Sequence, residues 1–451
     1  MLLCRNYLAF AVQKPRSFRR AGFLGSFFRT AFGILGLCLA VGLFGCSPAA
    51  QHPQAAANQP AAAAPAPSVA PTPEAKPASK PDPDPVLLGS EELAEGWISL
   101  FDGQTLFGWK ADSQADWRVE EGTIVVSSGE KGLLYTTTQF CNYVLKVDFR
   151  AEQGTNSGIF LHTPPKKQEP ASDCYELNIA QADNPFPTGS LVERQKAEAE
   201  VTSGQWHSYE VTVDGDRVLV KLDGQQVLDY TDPKPLRRGH IGLQLNSGRI
   251  AFRNIRLKPL GLTSLFNGRD LKGWKTYPKM PSKFTVTEAG ELHVENGRGQ
   301  LESEGSYGDF ALQLECQTHA PRLNSGVFFR CIPGEDMNGY ECQIHNGFQN
   351  DDRTQPQDCG TGGFFRRQNA RRVVADDLKW FHMTLIADGP HMAAWVNGYQ
   401  VSDWTDDRPA HENPRKGLRL EPGTIMIQGH DPTTNISFRN LRIAEWAERS
   451  L

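Results

Sequence analysis

Hydrophobic and polar residues alternate in short runs along most of this chain. Apolar positions rich in Val, Ile, Phe, Tyr and Trp recur every second residue in Trp117–Val126, Tyr143–Arg150, His207–Val213, Val218–Leu222, Ile241–Leu245 and Ile250–Leu257. A two-residue period is typical of strands that bury one face. Asp-Gly pairs at Gly215 and Gly224 separate such runs, which indicates tight hairpins. Many short strands with regular turns predict antiparallel two-sheet sandwiches.

The strand pattern occurs twice in the same order. The opening block Ser99–Trp109 returns as Ser264–Trp274, an offset of 165 residues, and the closing block Phe252–Leu257 returns as Phe438–Ile443, an offset of 186. The second copy has therefore gained about 20 residues in its loops. Solenoid repeats run only ~20–50 residues, so this period indicates one duplicated domain. We predict two sister domains, at residues 89–260 and 261–447.

The segment before these domains has a different composition. Residues 1–45 contain no Asp or Glu, carry six Lys or Arg, and run apolar from Ala31 to Phe44, which predicts a signal peptide. Leu43–Cys46 resembles a bacterial lipobox, in which Cys46 is lipid-modified; an ordinary signal peptide or an uncleaved anchor are the alternatives. Residues 46–88 are rich in Ala and Pro and predict a disordered, extended tether. We expect an exported, lipid-anchored protein of the cell envelope, in the periplasm or on the outer surface.

Charge and cysteine content narrow the classes further. The formal net charge of −5 becomes about −11 without the six positive charges of the leader, which argues against a nucleic-acid partner. Even numbers of cysteines in an exported protein permit disulfides, and buried free thiols are equally consistent with the spacing. The cysteines after residue 46 are Cys141, Cys174, Cys316, Cys331, Cys342 and Cys359.

Charged and polar residues stand between the alternating apolar positions at matching places in both copies. Side chains at positions i and i+2 share a face of a strand, so the residues between apolar neighbours point away from the core. If the three strands involved are neighbours, one face of the second copy gathers Glu315, Arg330, Glu341, Gln343 and His345. The first copy then gathers Asp148, Arg150, His162, Glu176 and Asn178. Glu176 and Glu341 are the strongest candidates, although a solvated polar face is the competing interpretation.

Both copies resemble the 3-keto-disaccharide hydrolase family, also described as 3-keto-glucoside lyases and 3-keto-2-hydroxy-glucal hydratases. The resemblance covers residues 96–446. It is carried by Leu-Phe-(Asp/Asn)-Gly, Asn-Ser-Gly-(Ile/Val)-Phe, Tyr-Glu-X-(Asn/Gln)-Ile, a Thr-Gly pair and Phe-Arg-Asn-(Ile/Leu)-Arg. It implies a concanavalin A-like jelly roll and a glycoside or oligosaccharide substrate. The implied reaction removes the C2 proton of a 3-keto sugar and then eliminates the group at C1, with possible rehydration.

The resemblance suggests roles for the candidate residues. Glu341 or His345 would be the base, with Glu176 and His162 as weaker equivalents. Substrate contacts would come from Arg330, Gln343, Glu315, Asn178, Arg150 and Asp148. Direct hydrolysis by two carboxylates, Glu315 and Glu341, is an alternative reaction.

Two further points stay open at this level. A non-catalytic glycan-binding lipoprotein is the alternative function, because the same sandwich serves lectins. No cofactor is certain, and a divalent metal remains open: the loop with Asp351, Asp352 and Asp358 could help hold calcium or could be an acidic solvated loop.

Overall fold

The computed structural model describes residues 87–166, 169 and 171–446. The predicted signal peptide, Cys46 and the tether up to residue 86 lie outside the described residues. One short helix, α1 (Ser90–Glu95), precedes the strands. The strands of the first copy are β1 (Ile98–Ser99), β2 (Trp109–Ala111), β3 (Arg118–Glu120), β4 (Thr123–Val126), β5 (Gly132–Thr136), β6 (Tyr143–Ala151), β7 (Ser157–Thr163), β8 (Tyr175–Ile179), β9 (His207–Asp214), β10 (Arg217–Leu222), β11 (Gln225–Thr231), β12 (His240–Leu245) and β13 (Ile250–Pro259).

The second copy repeats this series with two extra short strands. Its strands are β14 (Thr263–Ser264), β15 (Trp274–Thr276), β16 (Lys283–Val286), β17 (Leu292–Glu295), β18 (Gly299–Ser303), β19 (Asp309–Thr318), β20 (Ser325–Cys331), β21 (Tyr340–Ile344), β22 (Phe348–Gln349), β23 (Asp352–Pro356), β24 (Phe381–Asp388), β25 (His391–Val396), β26 (Tyr399–Thr405), β27 (Thr424–Gly429) and β28 (Asn435–Trp446).

Each copy forms an eight-stranded sheet and a five-stranded sheet. The large sheets run β11-β10-β9-β6-β13-β4-β3, with β1 beside β13, and β16-β17-β28-β19-β24-β25-β26, with β14 beside β28. The small sheets run β2-β5-β12-β7-β8 and β15-β18-β27-β20-β21, and the extra pair β22-β23 forms a ribbon in the second copy. All these pairings are antiparallel. The prediction of two tandem all-β jelly-roll sandwiches is confirmed.

The cores follow the two-residue alternation of the sequence. Tyr143, Leu145, Val147 and Phe149 of β6 are buried in one apolar cluster, and the residues between them are partly exposed. In the second copy Phe310, Leu312, Leu314 and Cys316 of β19 are buried in the corresponding cluster. Burying apolar side chains stabilises a fold by about 25 cal/mol for each Å² removed from water.

The core of the first copy continues into the second. The cluster includes Ile386, Trp395 and Trp446, which belong to the large sheet of the second copy. The indole nitrogen of Trp395 donates a hydrogen bond of 3.0 Å to the carbonyl of Ser99. At another place Arg238 pairs with Asp309 at 2.7 Å. The two copies therefore share buried surface.

The six cysteines after the leader are free thiols in this structure, and five of them are buried. Burial raises the pKa of the Cys359 thiol to about 12. Of the two interpretations that the sequence allowed, the structure has the free thiols.

Among the described residues, no helix has the length and apolar character needed to cross a membrane.

Candidate functional site

Sheet order separates the charged residues that the sequence grouped together. β19 pairs with β24 and β28 in the large sheet, whereas β20 and β21 lie in the small sheet. Glu315 therefore lies on the opposite layer of the sandwich from Glu341, and Asp148 and Arg150 of β6 are likewise separated from Glu176. The expected single polar face is wrong for these three residues, because β6 and β19 lie in the large sheets while the strands that follow them, β7 and β20, lie in the small sheets.

In each large sheet one acidic side chain, Glu315 or Asp148, accepts hydrogen bonds from a β-bulge in the closing strand, β28 or β13. Glu315 accepts hydrogen bonds from Arg439 (2.9 Å from Nε) and from the side-chain amide of Asn440 (2.5 Å). In the first copy Asp148 accepts the equivalent bond from Asn254 (2.7 Å). Both asparagines have positive φ, and the strand register shifts beside them. The repeated Phe-Arg-Asn motif thus has a structural explanation.

Arg150 lies on the outer face of the large sheet. Its guanidinium stands 4.8 Å from the ring centre of Trp206, and Arg253 stands 4.0 Å from the same ring. The three side chains line a shallow hollow on the first copy that is separate from Glu176.

Arg330 and His162 occupy equivalent buried positions. Arg330 is fully buried and donates to the carbonyls of Gly308 (2.9 Å) and Arg419 (3.2 Å). His162 places its ring nitrogens 2.6 Å from the carbonyl of Cys141 and 3.0 Å from that of Leu236. Burial lowers the pKa of His162 to about 4. Positive φ at both residues, 48° and 50°, breaks the alternation that predicted outward side chains, so that orientation is wrong for both.

A cavity of about 210 Å³ opens on the outer face of the small sheet of the second copy. Polar and apolar side chains from six separate parts of the chain line it. The lining residues are Arg298, Asn324, Phe328, Met337, Glu341, Gln343, Asp358, Phe365, Arg415, Gln428 and His430. Concave sites with apolar walls and a few converging polar groups are the usual form of small-ligand pockets.

Glu341 is one of two acidic residues that line this cavity, with Asp358 as the other. Among the residues that the structure describes, none donates a hydrogen bond to its carboxylate. Burial, together with the charge of Asp358, raises the pKa of Glu341 to about 7, and Arg415 and Arg366 oppose this rise. A carboxyl with a pKa near neutral can act as a general base or acid at physiological pH.

The Asn-Ser-Gly motif makes room for this carboxylate. Gly326 of β20 stands beside Glu341, and a Cβ added there would lie 2.9 Å from its Oε1. The neighbouring Ser325 donates a hydrogen bond of 2.8 Å to the carbonyl of Gln428, which ties β20 to β27. The motif therefore holds β20 against β27 through Ser325, and Gly326 leaves space for the Glu341 carboxylate.

Gln343 lies on the same face as Glu341, as the alternation predicted. Its side-chain nitrogen donates to Asn324 and to Asp358, each at 3.2 Å. Asn324 also donates to Asp358. The side-chain oxygens of Gln343 and of Gln428 are both buried without a hydrogen-bond donor among the described residues. Both oxygens can accept hydrogen bonds from ligand hydroxyl groups.

His345 lies just beyond the end of β21 and does not line the cavity. His345 is four positions after Glu341, which is about 13 Å along a strand. Its backbone nitrogen donates to Thr361 (2.9 Å), and its Nδ1 accepts from the backbone of Gly347 (3.2 Å). Burial lowers the pKa of His345, against the opposing charge of Asp358.

The first copy has a more closed equivalent of this site. Glu176 is buried, and its Oε1 accepts a hydrogen bond of 3.1 Å from Gln244. Asn178 donates its side-chain amide to the carbonyl of Phe186. Phe160 packs with Leu133 and Cys174 in a small apolar cluster. The second copy is therefore the stronger candidate for a ligand site.

Sequence reasoning missed several residues of the cavity. Asp358 was considered only as a calcium ligand, and Arg415, Phe365, Gln428 and His430 were not considered. Thirteen positions separate Asp406 from Arg419, whereas four separate the equivalent Asp232 and Leu236. Arg415 lies in this insertion, so the extra length of the second copy was the available signal.

The loop proposed for calcium is occupied by its own hydrogen bonds. Asp352 accepts from the hydroxyl of Thr354 (2.7 Å) and the side-chain amide of Gln355 (2.9 Å), while Asp358 faces the cavity. Within the described part of the chain no group of three or more His, Cys, Asp or Glu side chains is arranged to hold a metal ion.

Comparison with known families gives this geometry a context. The profile of the 3-keto-alpha-glucoside-1,2-lyase-like domain matches the chain twice, at residues 96–258 and 261–444. The chain belongs to this family. The resemblance inferred from the sequence is thereby confirmed, and at this level the chain is a carbohydrate-active, hydrolase-like protein.

Individual relatives are distant. A 3-keto-disaccharide hydrolase of Bacteroides thetaiotaomicron is 24% identical over 230 residues, which cover 37% of this chain and 79% of that protein. A solved structure from Parabacteroides distasonis, described provisionally as a glycosyl hydrolase, is 24% identical with a TM-score of 0.35, covering 40% of this chain and 100% of its own. A β-glucanase of Bacillus licheniformis is 14% identical with a TM-score of 0.29, covering 42% of this chain and 99% of its own.

Proposed function

We propose that the second copy cleaves the glycosidic bond of 3-keto glycosides, with Glu341 as the base that removes the C2 proton. The observation that carries the proposal is the Glu341 carboxylate, which faces the cavity without a hydrogen bond from the described residues and has a pKa raised to about 7. Such a group is ionised in a large fraction of molecules at neutral pH and remains basic enough to accept a proton.

The chemistry suits these residue types. A ketone at C3 acidifies the C2 hydrogen, so transfer of that proton to Glu341 leaves the electron pair in a C2–C3 enolate with negative charge on the C3 oxygen. When the ketone re-forms, the electrons create a C1–C2 double bond and break the bond from C1 to the leaving oxygen, which takes up a proton. Addition of water, with hydroxide at C1 and a proton at C2, completes a net hydrolysis.

Arg415 is suited to stabilise the enolate. It lines the cavity, and its charge acts on the pKa of Glu341, so a charge that develops nearby will also feel it. His430 lines the same cavity and is a candidate donor for the leaving oxygen. Gln343 and Gln428 supply unpaired carbonyl oxygens for the sugar hydroxyls.

Direct hydrolysis by Glu315 and Glu341 has no support in this geometry. Two carboxyl groups that cleave a glycoside directly stand about 5–10 Å apart across the bond. Glu315 lies in the other sheet and binds Arg439 and Asn440 instead. Elimination with one base is the route we propose.

Mass spectrometry of products from chemically 3-oxidised disaccharides tests this function. We expect the purified protein to release a free sugar, and Glu341→Gln to reduce the rate by about 100-fold or more, as loss of a general base does. Glu176→Gln in the first copy is the matched control and should retain most of the activity. Undiminished turnover by Glu341→Gln would remove this residue from the mechanism.

Deuterium oxide separates elimination from direct hydrolysis. Elimination followed by hydration places a solvent deuteron at C2, whereas direct hydrolysis retains the original hydrogen. Product made in deuterium oxide should therefore be one mass unit heavier at C2 than the same sugar incubated without protein. Binding of the keto-disaccharide without any product would favour the glycan-binding function instead.

We further propose export and lipid attachment through Cys46. The support is the basic and apolar leader followed by Leu43–Cys46 and the Ala/Pro-rich tether. Metabolic labelling with a fatty acid should mark the native chain and leave the Cys46→Ser variant unlabelled. Labelling of both chains would refute attachment at this residue.

A further inference from the structure

A second hollow of about 100 Å³ meets the first at Glu341. The two hollows share Glu341, Phe365 and Arg415. The smaller one is completed by Gly339, Tyr340, Phe364, Arg366, Arg367 and Pro414. If the proposed base stands at the scissile bond, the two hollows suit the two units that this bond joins.

The smaller hollow is lined by three guanidinium groups, those of Arg366, Arg367 and Arg415, and none of them forms an ion pair within the described part of the chain. Arg367 donates to the carbonyls of Arg366 (3.1 Å) and Arg415 (2.9 Å), and Arg415 donates to that of Met337 (2.5 Å). No ion pair within 4.0 Å joins any of the three to a carboxylate of the described residues. The sole acidic side chain in the lining is Glu341. The hollow is therefore strongly cationic.

The first copy shows that the fold does not require this charge. Backbone hydrogen bonds align Val192 with Phe365, because these residues donate to the carbonyls of Glu176 and Glu341. The residue of the first copy that is equivalent to Arg366 is then Glu193. Its φ of 60° is nearly the same as the φ of 58° at Arg366. The exchange replaces a negative charge by a positive one.

A second exchange leaves Arg367 without its acidic partner. In the first copy the equivalent Arg194 pairs with Asp232 at 3.0 Å. In the second copy the corresponding acid, Asp406, is bound at 2.7 Å by Arg408, which sits in the loop that carries the insertion. Arg367 therefore donates to backbone carbonyls and forms no ion pair with this acid.

From this charge pattern we infer that the smaller hollow binds an anionic group of the substrate, so that the leaving unit is an acidic sugar bearing a carboxylate or a sulfate. The inference rests on the proposed function for placing the leaving unit there. Arginine recognises both oxyanions through paired hydrogen bonds. A neutral leaving sugar would leave Arg366 and Arg367 without an anionic partner.

Calorimetric binding of sugars that are not oxidised tests the inference without any turnover. Glucuronic acid and glucose 6-sulfate should bind the purified protein at least tenfold more tightly than glucose, and added salt should weaken this preference. Tighter binding of glucuronic acid would assign a uronic acid, and tighter binding of the sulfate would assign a sulfated sugar. Equal affinities for glucose and both acidic sugars would overturn the inference.

Reversing the charge of one arginine tests whether the smaller hollow causes the preference for acidic sugars. Arg366→Glu, which copies the first domain, should remove at least tenfold of the preference for the acidic sugars, whereas Glu193→Gln should leave it unchanged. Both side chains are exposed, so melting temperatures should stay close to that of the native protein. An unchanged preference in Arg366→Glu would refute the site. Failure of the keto-sugar assay alone would remove the proposed reaction but not this anion site.

Discussion

Replacing Glu341 with glutamine should stabilise the protein at alkaline pH although it removes the proposed base. The carboxylate lies in a cavity without a hydrogen-bond donor among the described residues, and its pKa is raised from 4.5 to about 7. Glutamine has nearly the same shape and carries no charge. The substitution therefore removes an unfavourable ionisation without opening a new space.

The sign follows from proton linkage. Between pH 4.5 and about 7 the folded protein holds a proton on Glu341 that the unfolded chain has released, so stability falls as the pH rises through this window. Each tenfold change in a proton equilibrium is worth about 1.4 kcal/mol, which gives an upper value of about 3.5 kcal/mol above pH 7. Below pH 4.5 the difference between Glu and Gln should approach zero.

Urea denaturation of both proteins at pH 4 and at pH 8.5 measures this difference directly. The free energy of unfolding of Glu341→Gln should exceed that of the native protein at pH 8.5 and match it at pH 4. Glu176→Gln is the control, because Glu176 accepts a hydrogen bond from Gln244 and its loss should not stabilise the fold. A Glu341→Gln protein that is less stable at pH 8.5 would refute the reasoning.

Three further substitutions test the surroundings of this carboxylate and the bulge. Gly326→Ala adds a Cβ 2.9 Å from Oε1 of Glu341, so kcat/KM on the keto-disaccharide should fall about tenfold; an unchanged value contradicts the steric argument. Arg415→Ala removes a charge that lowers the pKa of Glu341, so the acidic limb of kcat/KM should move to higher pH, not lower. Asn440→Ala loses the bond to Glu315 at a positive φ and should cost about 1–3 kcal/mol in urea denaturation, and an unshifted midpoint would argue against the bulge explanation.

Local pattern was enough to predict the strands, the duplication and the direction of many side chains. Glu341 and Gln343 point away from the core because Tyr340, Cys342 and Ile344 fill it, and this alternation is visible in the sequence. The same rule holds for β6 and β19. A two-residue period is a property of each strand alone, so it needs no knowledge of the partners.

Sheet order and backbone irregularities are not visible in this way. Nothing in the run around Glu315 indicates that its neighbours are β24 and β28 rather than β20. The positive φ of His162 and Arg330 turns side chains that strict alternation would expose. The pairing of distant strands and the positive φ of single residues depend on tertiary contacts. The position of the inserted loop that supplies Arg415 to the cavity depends on tertiary contacts as well.

The hydrogen bond from Trp395 to the carbonyl of Ser99 has a consequence for how such proteins evolve. Either half alone would expose to water the apolar side chains that the other half now covers. Recombination that separates the two halves of this chain would therefore cost stability in both. Under that constraint, one half is free to diverge in chemistry while its sister preserves the scaffold.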